Sequence, residues 1–107
     1  MPLKLPKPVA DYFAADAKDG SAVANRFTPD AVVIDERQTY TGRKAIARWK
    51  AESSTKYEYS CEPIAAEEEG GKIIVTAHLT GNFPGSPVDL RYAFVLAGDA
   101  IAHLEIA

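Results

Sequence analysis

A chain of 107 residues, 47% apolar and 25% charged, has the size and balance of one globular domain whose core needs no covalent staples. Fifteen acidic against twelve basic residues leave a net charge of −3, which argues against a nucleic-acid partner, because phosphate binding draws on clustered positive charge. The lone Cys61 cannot close an internal disulfide, no run nears the ~18 apolar residues of a membrane span, and proline breaks the first residues too often for a secretion signal, so a soluble, cytoplasmic protein without membrane contacts is expected.

Residues 1–7, broken by Pro2 and Pro6 and followed by Pro8, read as a loose extension of a single domain. From Pro8, the residues Val9, Tyr12, Phe13 and Ala17 follow the i, i+3, i+4, i+8 stripe of an amphipathic helix. Pro8 suits its first turn, and Asp19-Gly20 is read as its end. Ser21 then caps a short second helix that turns Val23, Ala24 and Phe27 inward. Thr28-Pro29-Asp30 reads as a turn. The β-branched run Ala31-Val32-Val33-Ile34-Asp35 predicts a strand, and Glu36 to Thr39 a loop or frayed strand end. Thr41-Gly42 opens a third helix, Arg43 to about Ser53, with Ile46 and Trp49 on its buried side.

Beyond Thr55 the pattern changes to strands. Tyr57 to Glu62 alternates with period two, and Glu67-Glu68-Glu69-Gly70-Gly71 reads as a solvated acidic hairpin tip. Lys72 to Phe83 is a second long strand, Asn82 to Pro87 a wide loop, and Val88 to Leu96 a third strand. Gly98-Asp99 turns the chain into a last strand, Ala100 to Ile106. Helices first and hairpin-linked strands after make the class α+β. No internal repeat or linker interrupts it.

The segment Phe27-Thr28-Pro29-Asp30-Ala31-Val32-Val33-Ile34-Asp35 resembles the F-x-x-D-A-x-x-x-D stretch of SnoaL-like and ketosteroid-isomerase-like proteins of the nuclear-transport-factor-2-like superfamily. Tyr40-x-Gly42-Arg43-x-x-Ile46-x-x-Trp49 is similar to the motif that follows it there. The resemblance runs from about Val9 to Ile106 and implies three helices packed on the concave face of a strongly bent, cone-shaped antiparallel sheet. It implies two catalytic residues as well. Tyr12 matches a helix tyrosine that holds the substrate oxygen, and Asp35 matches the aspartate that shuttles the proton. Tyr92 stands near the place where the isomerases carry a second, neutral aspartic acid, so that group is missing.

The residues themselves give Asp35 a plausible chemistry. It ends an apolar strand on the face of Val33; if that face lines a pocket, lost hydration raises its pKa toward that of a useful base. Tyr12 would polarise a carbonyl or enolate oxygen, or else it continues the core stripe beside Phe13. Tyr40, Trp49, Tyr57, Tyr59, Phe83, Tyr92 and Phe94 either line a pocket for a small apolar or cyclic ligand or pack the core.

His78 falls with Thr76 and Thr80, His103 with Ile101 and Glu105, and Asp89 with Arg91, on what reads as the outer sheet face. There they would serve a homodimer, beside Ile74, Val95 and Ile101, unless a bulge turns a histidine inward as part of a catalytic pair. Two histidines and one cysteine offer no metal spacing, no glycine-rich phosphate loop occurs, and no cofactor is expected. Two functions stay open. One is a cofactor-independent isomerase, cyclase or dehydratase acting on a small carbonyl compound, and the other a non-catalytic binding or dimerisation module.

Overall fold

The first amphipathic stripe forms helix α1, Lys7–Lys18, with Pro8 in its opening turn and the Ala10 amide bonded back to the Pro6 carbonyl at 2.9 Å. The computed structural model describes residues 4–18, 20–56 and 58–107, with residues 17, 18, 20, 21 and 53–56 described through their backbone alone. The expected helix end at Asp19 and the pocket residue Tyr57 therefore lie outside the described residues. A 3₁₀ helix, Gly20–Arg26, follows, then strands β1 (Phe27–Asp35) and β2 (Gln38–Thr41), helix α2 (Arg43–Lys56), and strands β3 (Tyr59–Glu69), β4 (Lys72–Gly81), β5 (Val88–Ala97) and β6 (Ala100–Ile106).

The architecture is α+β, with the strands in one open sheet of order β2-β1-β6-β5-β4-β3. Two expectations about it need correction. The sheet is mixed rather than wholly antiparallel, because the last strand returns to lie parallel to β1 while every other neighbouring pair is antiparallel. Among the described residues two α-helices form, not three. The seven residues Gly20–Arg26 are too few to repay α-helix nucleation and take the tighter 3₁₀ form of a connector. Among the described residues, no helix is long and apolar enough to cross a membrane.

Local corrections follow from pairing. Thr28-Pro29-Asp30 is no turn but part of β1, in a stretch where Phe27 pairs with Ile101 and the next partners are Val32 and His103. That irregularity absorbs Pro29, which has no amide to give a ladder. Glu36 and Arg37 form a two-residue turn with φ of 52° and 66°, so the expected loop is a hairpin into β2. Such turns favour Asn-Gly, which is why Glu-Arg gave no hairpin signal. The acidic run Glu67–Glu69 belongs to β3, and Gly70-Gly71, with φ of 59° and 81°, makes the turn.

A second slip moves Ile101. Val95 pairs with His103 but Leu96 with Ile101, so β6 carries one extra residue at Ala102. Ile101 and Leu104 both end fully buried, three apart, and His103 keeps the face of Glu105 but not that of Ile101. The core gathers Val9, Tyr12 and Phe13 of α1, Val23 and Phe27, Ile46 and Trp49 of α2, and the inward residues of β1, β4, β5 and β6. Ile74, buried as well, stands outside that cluster, on the opposite sheet face with Thr76, Ala93 and Arg91. Leu5 packs against the core as well.

Candidate functional site

Between α2, the end of β1, the loop after β4 and the inner faces of β3, β5 and β6 lies a cavity of about 780 Å³. Its apolar walls are Ile34, Leu79, Val88, Leu90 and Ile106, with Phe83, Pro84 and Gly85 from the loop. Its polar groups come from a few positions: Asp35, Glu36 and Arg37 at the β1 hairpin, Trp49 and Lys50 on α2, Tyr59 on β3, Tyr92 on β5 and Glu105 on β6. Apolar walls with few convergent polar groups are the usual make-up of a small-molecule site. The two left-handed residues Glu36 and Arg37 border it, a placement typical of strained backbone.

Asp35 is where the sequence placed it, on the inward side of the β1 end, and it is partly exposed rather than dry. The Trp49 indole donates a 2.9 Å hydrogen bond from Nε1 to Asp35 Oδ2. One carboxylate oxygen is thereby held at the cavity wall. The Tyr40 ring lies 6.1 Å from that of Trp49 and does not itself line the cavity. Partial desolvation, then the nearby Asp35, Glu52 and Glu36 carboxylates, push the Tyr40 hydroxyl pKa up.

Deeper in lies a buried polar cluster that the sequence pattern did not reveal. Lys50 Nζ donates to Asp16 Oδ1 at 2.7 Å and to the Tyr59 hydroxyl at 3.1 Å. Tyr59 donates in turn to Asp16 Oδ1 at 3.2 Å. The Lys50 and Asp16 side chains are only 4% and 5% exposed, so this is a desolvated ion pair, made tolerable by its mutual bonds. The ammonium also sits 4.7 Å from the Trp49 ring centroid and 5.9 Å from that of Tyr12. Burial pulls the Lys50 pKa down, but the Asp16 carboxylate and the Tyr59 hydroxyl outweigh it and the net shift is upward. The ammonium is therefore charged at neutral pH.

The spacing that hides this pair is visible in retrospect. Asp16 lies at i+7 from Val9 and Lys50 at i+4 from Ile46, each on the apolar stripe of its helix. Opposite charges on two facing apolar stripes were the available signal.

Five of the nine residues expected at the site line the cavity: Asp35, Trp49, Tyr59, Phe83 and Tyr92. Three described ones do not. Tyr12 is 1% exposed and its ring packs edge-on to Phe13, Phe27 and Phe94. Phe94 is wholly buried beside it, and Tyr40 backs Trp49. Helical spacing put Tyr12 on the core stripe, and the cavity opens farther along, beyond Tyr92. Desolvation, followed by Tyr92 and Asp16, raises the Tyr12 pKa well above its ordinary value. Cys61 meets the Tyr92 hydroxyl at 3.7 Å; burial pushes its thiol up to about 11, which makes it a poor nucleophile.

The opposite face of the sheet carries His78 paired with Asp89 at 2.7 Å, as cross-strand neighbours on β4 and β5 with exposed side chains. A smaller hollow of about 410 Å³ lies there, lined by Lys72, Ile74, Arg91 and Ala93 among others. Neither histidine lines the larger cavity.

The sequence matches the SnoaL-like domain over residues 9–100. No curated protein is significantly similar to the chain. Among solved structures, a candidate polyketide cyclase from Sinorhizobium meliloti is 42% identical, with a TM-score of 0.91 over 96% of this chain and 95% of that one. A protein from Catenulispora acidiphila with a ketosteroid isomerase-like fold, crystallised with trimethylamine, is 22% identical, with a TM-score of 0.83 over 97% and 86%. A nuclear-transport-factor-2-like protein from Cytophaga hutchinsonii shares the fold at 14% identity, with a TM-score of 0.73 over 100% and 93%. With the cavity, the mixed sheet and the matched residues in agreement, the chain belongs to the SnoaL-like domain family and has the fold of nuclear-transport-factor-2-like proteins.

Proposed function

We propose that the cavity binds a small, largely apolar carbonyl compound and that Asp35 moves a proton at the carbon next to the carbonyl, as an isomerase or cyclase requires. The observation that carries this reading is the Asp35 carboxylate on the cavity wall, fixed by the Trp49 indole at 2.9 Å with one oxygen held and the other left for chemistry. A held carboxylate beside apolar walls supports a role in general base catalysis. The likeness to a candidate polyketide cyclase at 42% identity supports the same class of chemistry.

The test is α-proton exchange of 2-tetralone in deuterated buffer, followed by proton NMR. Wild type is expected to exceed buffer alone, and Asp35→Asn to lose about 10²–10⁴-fold of that rate while binding 2-tetralone with similar affinity. No exchange above buffer, with binding intact, makes the protein a ligand-binding module. The burial of Tyr12, the expected oxygen donor, favours that second reading. The outer sheet face, with Ile74 and Val95 beside Thr76, is proposed to pair two copies, and a monomer in gel filtration at micromolar concentration refutes it.

A further inference from the structure

Of the charged groups that line the cavity and that proton transfer at Asp35 does not use, Lys50 is the buried one. Lys50 lines the cavity, yet its side chain is almost wholly withdrawn from bulk water. An ammonium has three protons to donate; among the described residues, Asp16 and Tyr59 take two. Asp35 and Lys50 both touch Trp49, the carboxylate at the indole edge and the ammonium over the ring face. The indole thus spaces a carboxylate from a cation along one wall.

We propose that Lys50, held by Asp16 and Tyr59, is the oxygen-binding end of the cavity, and that the ligand is a cyclic ketone, enol or phenol that places one oxygen on the ammonium. The proposal rests on the cavity reading above and names the ligand class. Asp16 neutralises Lys50, so the site offers a directed donor without net positive charge. A ligand carboxylate would bring a further negative charge next to Asp16 and toward Asp35, and the site disfavours it. A carbonyl, enol or phenol oxygen carries partial charge only and suits a donor in a dry cavity. Tyr59 and Asp16 are positioning residues, since they act on the ligand through the ammonium.

Calorimetric titration with naphthalene, 2-naphthol and 2-naphthoate separates the possibilities. Wild type is expected to bind 2-naphthol at least about tenfold tighter than either of the others, the worth of one charge-assisted hydrogen bond. Lys50→Met removes the donor and is expected to abolish the preference. Because that variant strands Asp16, the double variant Asp16→Leu/Lys50→Met supplies a second, charge-free test. Tyr59→Phe keeps the ion pair and is expected to weaken the preference severalfold without abolishing it. Equal binding of the three probes, no binding of any, tighter binding of 2-naphthoate, or a preference that survives the double variant overturns the proposal. A wild type that prefers 2-naphthol yet exchanges no proton of 2-tetralone refutes only the proton-transfer reading. Exchange without the preference refutes only this one.

Discussion

Lys50→Met is the substitution whose cost the structure fixes best. It leaves the Asp16 carboxylate buried, 5% exposed, with the Tyr59 hydroxyl in place of an ammonium at 2.7 Å. Stripping one partner from a buried pair costs about 3–5 kcal/mol, because the stranded charge cannot recover its hydration. The lost contact of the ammonium with the Trp49 face, 4.7 Å away, adds about 0.5–1 kcal/mol. A loss near 4 kcal/mol is a large part of the roughly 5–15 kcal/mol that holds a domain together. At about 4–8 °C per kcal/mol, the melting temperature drops by roughly 15–30 °C.

The double variant Asp16→Leu/Lys50→Met removes both charges and fills the space with apolar atoms. It is expected to recover most of that loss and to lie within about 2 kcal/mol of wild type. Urea unfolding followed by the fluorescence of Trp49, the sole tryptophan, measures both variants. A single variant within about 1 kcal/mol of wild type, or a double variant as unstable as the single, refutes the account of a dry, mutually dependent pair.

Alkaline stability gives a second check. The Cys61 thiol is raised from 9.0 to about 11, so the unfolded thiol ionises first and stability falls as pH rises from 9 to 11. Tyr12, Tyr59 and Tyr92, raised above 10.0, and Lys50, raised above 10.5, carry the same sign to higher pH. Cys61→Ala is expected to remove the earliest part of the decline, about 2 kcal/mol or less after allowance for partial exposure, in urea titrations at pH 8 and 11. An unchanged decline in that variant refutes the assignment. Gly81→Ala would put a methyl group against the Glu58 carbonyl oxygen and 2.7 Å from Tyr59 Cβ. The expected cost is about 1–3 kcal/mol by urea unfolding, together with a weaker 2-naphthol preference as Tyr59 shifts; a silent substitution sinks the β3–β4 register at that point.

Local rules make most of the elements legible in the chain itself. The 3.6-residue stripe of Val9, Tyr12 and Phe13 marks α1, Ile46 and Trp49 mark α2, and alternation marks the later strands within a few residues. These features are set by neighbours in the chain. The β-branched run before Asp35 also places that carboxylate on the inner face of β1, at the cavity wall.

What pattern could not supply was decided between distant segments. The parallel pairing of β1 with β6 joins strands separated by most of the chain, and no local signal encodes it. Its slip at Thr28–Asp30, and the extra residue at Ala102, turned Ile101 into the core against strict alternation, because burying an isoleucine outweighs regular pairing. The Asp16–Lys50 pair spans 34 positions and exists only because α1 and α2 face each other over one core. Charged residues on apolar stripes are costly alone and tolerable together. Sequence therefore determined the helices, the strands and the inward place of Asp35, whereas the packing of the two helices on the sheet decided which charges meet and where the cavity lies.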